Sequence, residues 1–284
     1  MLERIYSGPK PDFSLPAGVI DTQLHLYKEG FPAQPGGIPV PVGVPGLAEY
    51  RQVMEWLGIE RFVITQGNTY QFDNSCLLDC LQEAGEMARG VAVVTAETSE
   101  QELQQLHAAG VRGARIMDLP AGAAGLSYLP EVDKQAHKMD WCVAVQFDGS
   151  HLLQHLPLLE SLQSRYIIDH HGKFFAGVRP DSPQIDALKR LIDKGNCWFK
   201  FAGCYESSRS GGPDYADIAA VAREMAAYAP QRIIWGTNFP HNMAQKTEDY
   251  PNDAHLLELA LDWAGNAATQ RRMLVDNPQE LFFS

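Results

Sequence analysis

Three of the nine histidines, His25, His170 and His241, each close a short apolar run of strand character, and the runs lie far apart in the chain. Imidazoles move protons near neutral pH, so a fold that gathers these three at one mouth assembles an acid–base site. Other polar groups stand at the same run-ends. The first run reads Asp21-Thr22-Gln23-Leu24-His25, the fourth ends with Arg115, and the fifth with Gln146 and Asp148. The sixth ends Asp169-His170-His171-Gly172, the seventh with Lys200, and the eighth Thr237-Asn238-Phe239-Pro240-His241. Strand alternation puts Gln23 and His25 on one face, pointing into the mouth if Val19 and Asp21 share that face. Adjacent strand residues face opposite ways, so Asp169 and His171 are as readily structural as functional.

The elements that must position these groups follow a repeated grammar of β-branched run, loop and amphipathic stretch. Strands are expected at Val19–Leu24, Phe62–Thr65, Val91–Thr95, Gly113–Met117, Cys142–Phe147, Tyr166–Asp169, Cys197–Phe201 and Ile233–Gly236. Helices are expected at Gly46–Leu57, Asn74–Ala88, Ser99–Ala109, Leu129–Met139, Leu152–Leu162, Pro183–Lys194, Tyr215–Tyr228 and Asn252–Ala264. Leu152, Leu153, Leu156, Leu159 and Leu162 keep the three-four rhythm of a helix facing a sheet. Runs such as Phe62-Val63-Ile64 are apolar throughout, as strands buried on both faces must be. Eight alternations favour a closed (β/α)8 TIM barrel, one domain over residues 1–284, above an open doubly wound sheet. Asn277-Pro278-Gln279-Glu280 reads as a helix start, with Leu281 and Phe282 expected in the outer layer. The long connections Tyr27–Gly46 and Gly203–Asp214 fall on the catalytic side of such a barrel, each a candidate lid or a plain insertion.

Composition narrows the partners. The net charge of -12 argues against nucleic acid, since no basic surface stands out to release phosphate counterions. A few local cations still suffice for an anionic small molecule. No apolar signal core opens the chain and no long apolar run follows, so membrane association is not expected and the cytoplasm is. The five cysteines are odd in number and scattered, which reads as core packing without disulfides. No heptad or interface stripe indicates an oligomeric state.

These motifs carry a resemblance. His-x-His on the first strand, Asp-His-x-Gly on the sixth and Trp-Gly-Thr-Asp-x-Pro-His on the eighth mark the lactonase branch of the amidohydrolase superfamily. That branch includes pyrone-dicarboxylate lactonase, sulfomuconolactone hydrolase and sugar-acid lactonases. The chain resembles it from Val19 to Phe282, with two departures: Gln23 replaces the first histidine and Asn238 replaces the aspartate. Gln gives up an imidazole ligand, and Asn removes the base that takes a proton from water. The resemblance therefore implies a barrel with no metal and no other cofactor. It implies a lactone isomerase that turns D-galactaro-1,5-lactone into D-galactaro-1,4-lactone, a small lactone with a free carboxylate. Moving an acyl group to a neighbouring hydroxyl needs no external nucleophile, only a proton relay and a stabilised oxyanion. His170 or His25 is the expected relay, with Asn238 and His241 holding the carbonyl oxygen and Gln23 a further neutral donor. Arg115, Lys200 and Arg209 are candidates for gripping the carboxylate and hydroxyls, with Gln146 and Asp148 beside them. Lys200 is equally suited to an ion pair with Asp148 or Asp169, and Arg209 to a solvated loop position. A lactonase using a histidine as base, and a non-catalytic binding protein for a sugar-acid lactone, are the competing readings.

Overall fold

The structure, a computed structural model, describes residues 2–284. Its first half runs β1 (Ile20–Leu24), α1 (Leu47–Leu57), β2 (Arg61–Thr65), α2 (Ser75–Ala84), β3 (Ala88–Ala92), α3 (Glu100–Ala108), β4 (Val111–Asp118) and α4 (Leu129–Met139). The second half runs β5 (Cys142–Phe147), α5 (Leu152–Glu160), β6 (Arg165–Ile168), α6 (Pro183–Asp193), β7 (Cys197–Phe201), α7 (Ala216–Tyr228), β8 (Ile233–Trp235), α8 (Asp253–Ala264) and α9 (Ala267–Arg271). The strands pair in parallel in chain order, β1 to β8. Beyond β8 the chain returns to β1 through Asn238 N to Gln23 O (2.8 Å) and His25 N to Phe239 O (2.8 Å), which closes the TIM barrel. Gly236 is required at this seam, because a Cβ there would lie 2.5 Å from the Gln23 Cβ.

One irregularity sets the whole site. The register of β1 on β2 shifts between Asp21 and Leu24, the signature of a bulge. Ile20 therefore faces the barrel interior and Asp21 the outside, yet Gln23 and His25 face inward again. Simple alternation had put Asp21 on their side; the extra residue breaks it. Turned outward, the Asp21 carboxyl accepts from Gln23 N, Thr237 N, Thr237 Oγ1 and Tyr50 Oη of α1, stitching β1 to β8 and to the helix layer. Burial pushes this carboxyl up to about 6 against those four hydrogen bonds.

Two further expectations are corrected. The third strand starts at Ala88 and stops at Ala92, three residues earlier than the apolar run suggested. Asn74 is the reason: its side chain accepts from Val93 N (3.0 Å) and donates to Val93 O (2.8 Å), taking that residue out of the ladder. At the other end, Asn277 caps no new helix. Its amide donates to the carbonyls of Pro230 and Ile233, and the chain passes through wide helical turns at Arg272–Asp276 and Gln279–Phe283. Leu281 and Phe282 then join Ile20, Val63, Val91, Cys142, Ala144, Ile167, Trp198 and Ile234. That set is the interior of the barrel, so the C-terminus plugs the floor and not the outer layer. Phe283 is clasped by the guanidiniums of Arg61 and Arg89 at 4.6 and 4.7 Å.

Plugging the floor forces every ligand to enter from the opposite rim, where the polar strand-ends lie. Phe282→Ala is expected to cost about 3 to 5 kcal/mol in urea unfolding, the usual loss for a buried phenylalanine. A loss under about 1 kcal/mol would mean that the floor does not depend on this side chain.

Candidate active site

At the rim formed by the C-terminal ends of the strands lies a cavity of about 410 Å³. This is toward the small end of ligand pockets, which run from about 300 to 1,000 Å³. Its mouth is apolar, with Ile38, Leu119, Pro120, Phe175 and Met243, while its inner wall carries His25, Arg115, Gln146, His170, Lys173, Glu206 and Asn238. Ile38 belongs to the long first connection, which is pinned to the next loop through Gln34 N to Thr69 O.

Beneath the cavity sits a fully buried ammonium. Lys200 Nζ donates to Gln23 Oε1 (2.9 Å) and Asp169 Oδ2 (3.1 Å). Thr65 Oγ1 also donates to Gln23 Oε1. Of the two acid partners expected for Lys200, the structure selects Asp169. Burial raises the Asp169 carboxyl, but the charges of Lys200 and His170 and their hydrogen bonds outweigh it and hold it well below the usual carboxylate range. Asp169 Oδ1 takes His170 Nδ1 at 2.8 Å, and His170 Nε2 lies 3.1 Å from Asn238 Oδ1. Both ring nitrogens thus face acceptors, and the pattern is filled when each carries a hydrogen. His25 is the opposite case. Its Nδ1 donates to the Thr65 carbonyl at 2.9 Å, which leaves the Nε2 lone pair. Burial, then the Arg115 charge, lowers this imidazole to about 3, so it is neutral.

Arg115 is held flat by Gln66 O, Asn68 Oδ1 and Gln146 Oε1, and only one of its Nη2 hydrogens is engaged. Lys173 pairs with Glu206, and Glu206 Oε1 also accepts from Asn238 Nδ2 at 2.8 Å. Gly203 lets these loops approach: a Cβ there would lie 2.9 Å from Asn238 Nδ2. The cavity therefore offers one lone pair and two cations, together with an imidazole nitrogen and a carboxylate that are already paired.

Four expected site residues are placed elsewhere. His241 is fully buried, bonded through Nδ1 to Tyr205 Oη (2.7 Å) and through Nε2 to Asp253 Oδ1 (3.0 Å), so it holds no ligand itself. Asp148 caps the turn after β5 by accepting from Ser150 N. Arg209 is exposed and donates to the Ala176 carbonyl. Lys200 lies under the cavity, out of ligand reach. Asn238 stays in the wall, but both its N–H bonds are spent on Tyr205 and Glu206, so its oxygen serves His170 and no carbonyl. His171 turns outward and stacks on Phe201, with ring centroids 5.0 Å apart. Lys173, Glu206 and Asn68 were not singled out from sequence. They stand three to five residues past the strand ends, and the signal was their charge or amide in a loop on the catalytic rim.

The amidohydrolase family model matches residues 20–283. Over 99% of this chain and 96% of its relative, the sequence is 54% identical to D-galactarolactone isomerase of Agrobacterium fabrum. It is 31% identical to a 2-pyrone-4,6-dicarboxylate hydrolase of Comamonas testosteroni, over 98% of this chain and 94% of that one. An apo crystal structure from Agrobacterium tumefaciens superposes with a TM-score of 0.97 at 54% identity, covering 99% of each chain.

The pairing of Glu206 has a pH signature. Burial raises this carboxyl, but the Lys173 and His170 charges bring it down from 4.5 to about 2. A depressed folded value means its stabilisation is complete above the ordinary 4.5 and is lost as pH falls toward 2. Glu206→Gln should melt below the wild type near neutral pH, with the gap closing across that acid window. A gap that stays constant down to the bottom of the window would show that the ion pair contributes nothing.

Proposed function

This chain belongs to the amidohydrolase family and is a lactone isomerase; we propose that it converts D-galactaro-1,5-lactone into D-galactaro-1,4-lactone by metal-free intramolecular acyl transfer. One observation carries the reading: every carboxylate at or beneath the cavity is already committed. Glu206 is bound by Lys173 and Asn238, and Asp169 by Lys200 and His170. A carboxylate held at about 2 is a poor base for water, which is what hydrolysis needs.

Support for the metal-free route comes from the donor set, which does not fit a divalent ion. Gln23 Oε1 and Asp169 Oδ2 point at an ammonium, and both nitrogens of His241 are used away from the cavity. Among the described residues no three His, Cys, Asp or Glu side chains converge.

The residues divide the work as follows. Arg115, aligned by Gln146, takes the free carboxylate with its unengaged Nη2 hydrogen. The lactone carbonyl faces the Lys173 ammonium and shares the His170 Nε2–H with Asn238 Oδ1, and the two donors stabilise the oxyanion. The 4-hydroxyl gives its proton to the His25 Nε2 lone pair as its oxygen attacks C1. The tetrahedral centre then collapses and the 5-oxygen leaves, taking the same proton back from the adjacent position. A carboxylate seated on Arg115 offsets the charge that depresses His25, so substrate itself makes the base stronger. Five free cysteines, all buried, suit a reducing cytoplasm.

An NMR time course with chelator-treated enzyme tests the reading. The 1,4-lactone should appear first and at full rate. Open-chain diacid as first product, or activity only with added metal, would make the chain a lactonase, and binding without conversion would make it a binding protein. His170→Asn is expected to slow turnover by roughly a hundredfold or more. Asn238→Asp is expected to add open-chain diacid to the products, because it sets a carboxylate where the wild type has an amide. If that variant makes the 1,4-lactone alone, the missing base is not what suppresses hydrolysis.

A further inference from the structure

Behind the cavity wall runs a chain of four side chains that no proposed step uses: Asn238 Nδ2 to Tyr205 Oη (2.8 Å), Tyr205 Oη to His241 Nδ1 (2.7 Å), and His241 Nε2 to Asp253 Oδ1 (3.0 Å). We propose that Asp253, His241 and Tyr205 are positioning residues that fix the orientation of the Asn238 amide and thereby keep a hydrogen on His170 Nε2, where Asn238 Oδ1 and the substrate carbonyl share it. The inference rests on the isomerase reading for its catalytic consequence, but not for its hydrogen-bond logic.

Each link dictates the next. A carboxylate only accepts, so Asp253 Oδ1 requires a hydrogen on His241 Nε2. In the neutral imidazole with that tautomer, His241 Nδ1 carries the lone pair. Burial, followed by the Glu206 charge, raises the Tyr205 phenol well above its ordinary value, so it keeps its hydrogen and must place it on an acceptor. Of its two partners, Asn238 Nδ2 is a donor and His241 Nδ1 is the acceptor. The phenol oxygen is thereby turned to receive the Asn238 N–H. With Nδ2 shared between Tyr205 Oη and Glu206 Oε1, Oδ1 must face His170 Nε2, which it does at 3.1 Å.

Reverse the His241 tautomer and the sequence inverts. Nδ1–H would donate to Oη, the phenol hydrogen would point at residue 238, and the amide would be drawn toward the flipped form. Nδ2 would then meet His170 Nε2 and favour a lone pair there, removing the oxyanion donor. The imidazole cannot evade its role by rotation, because it is fully buried between the rings of Tyr205 and Tyr250, with centroids 5.5 and 5.0 Å away. Asp253 sits at the start of α8, so this line of bonds joins the outer helix layer to the cavity wall.

Tyr205→Phe isolates the proposal, since it removes one oxygen and keeps the ring. Turnover should fall roughly tenfold to a hundredfold, the worth of one buried hydrogen bond expressed in rate, with KM within about twofold. In an Asn238→Ala background the same change should cost nothing more, because its only route passes through that amide. Histidine ¹⁵N spectra of the wild type should show His241 unprotonated at Nδ1 and protonated at Nε2. Asp253→Asn can still present an oxygen to Nε2 and should keep the tautomer and most of the activity, whereas Asp253→Leu should lose both. Full turnover in Tyr205→Phe, multiplicative losses in the double variant, or a hydrogen on His241 Nδ1 would overturn the inference. The spectra need no substrate, so a failure of the isomerase reading leaves them decisive.

Discussion

A lysine ammonium with no access to water must be neutralised where it lies, and that requirement organises the inner end of this barrel. Lys200 is 0% exposed and has one anionic partner, Asp169. Taking such a pair out of water costs several kcal/mol per ion, which is recovered only when the remaining lone pairs and hydrogens are also satisfied. Gln23 supplies a neutral oxygen to the ammonium, and His170 supplies an N–H to the second oxygen of the aspartate. From this centre the bonding continues outward to Asn238 and Glu206 without an unpaired charge.

The same demand explains the chemistry of the cavity. A carboxylate that must compensate a buried cation is not free to collect a proton from water. Both acids here are held as anions by neighbouring cations, and the amides at positions 23 and 238 add polarity without basicity. What faces the ligand is a neutral imidazole lone pair beside several fixed positive donors. Such an arrangement favours charge building on oxygen, and it suits a reaction whose nucleophile arrives already tethered to the electrophile.

Closing the cylinder imposes its own conditions. The bulge in β1 lets Ile20 seal the interior while Gln23 and His25 reach the rim, and Asp21, sent outward by the same bulge, locks β1 to β8. The C-terminal Leu281 and Phe282 fill the opposite end. Floor, seam and rim are thus parts of one packing solution, in which the buried charges at the rim are each paired.

Much of this was legible in the residues. Apolar runs alternating with amphipathic stretches determined eight strands and the helices between them, because burial on two faces and on one face leave different periodicities. Residues at strand ends were legible for the same reason: His25, Arg115, Gln146 and His170 could only be carried to a common rim. Set against the family's histidine and aspartate, the amides at 23 and 238 pointed to a site without a water-activating base. Tertiary structure decided the rest. Whether His241 faced the ligand or stood behind Tyr205, whether Lys200 chose Asp169 or Asp148, and whether Asp21 pointed in or out all depended on partners supplied by distant parts of the chain. Periodicity reports which face of an element is buried, since that is a local average over many contacts. A hydrogen bond is a single contact between particular atoms, and only the folded chain brings its two halves together.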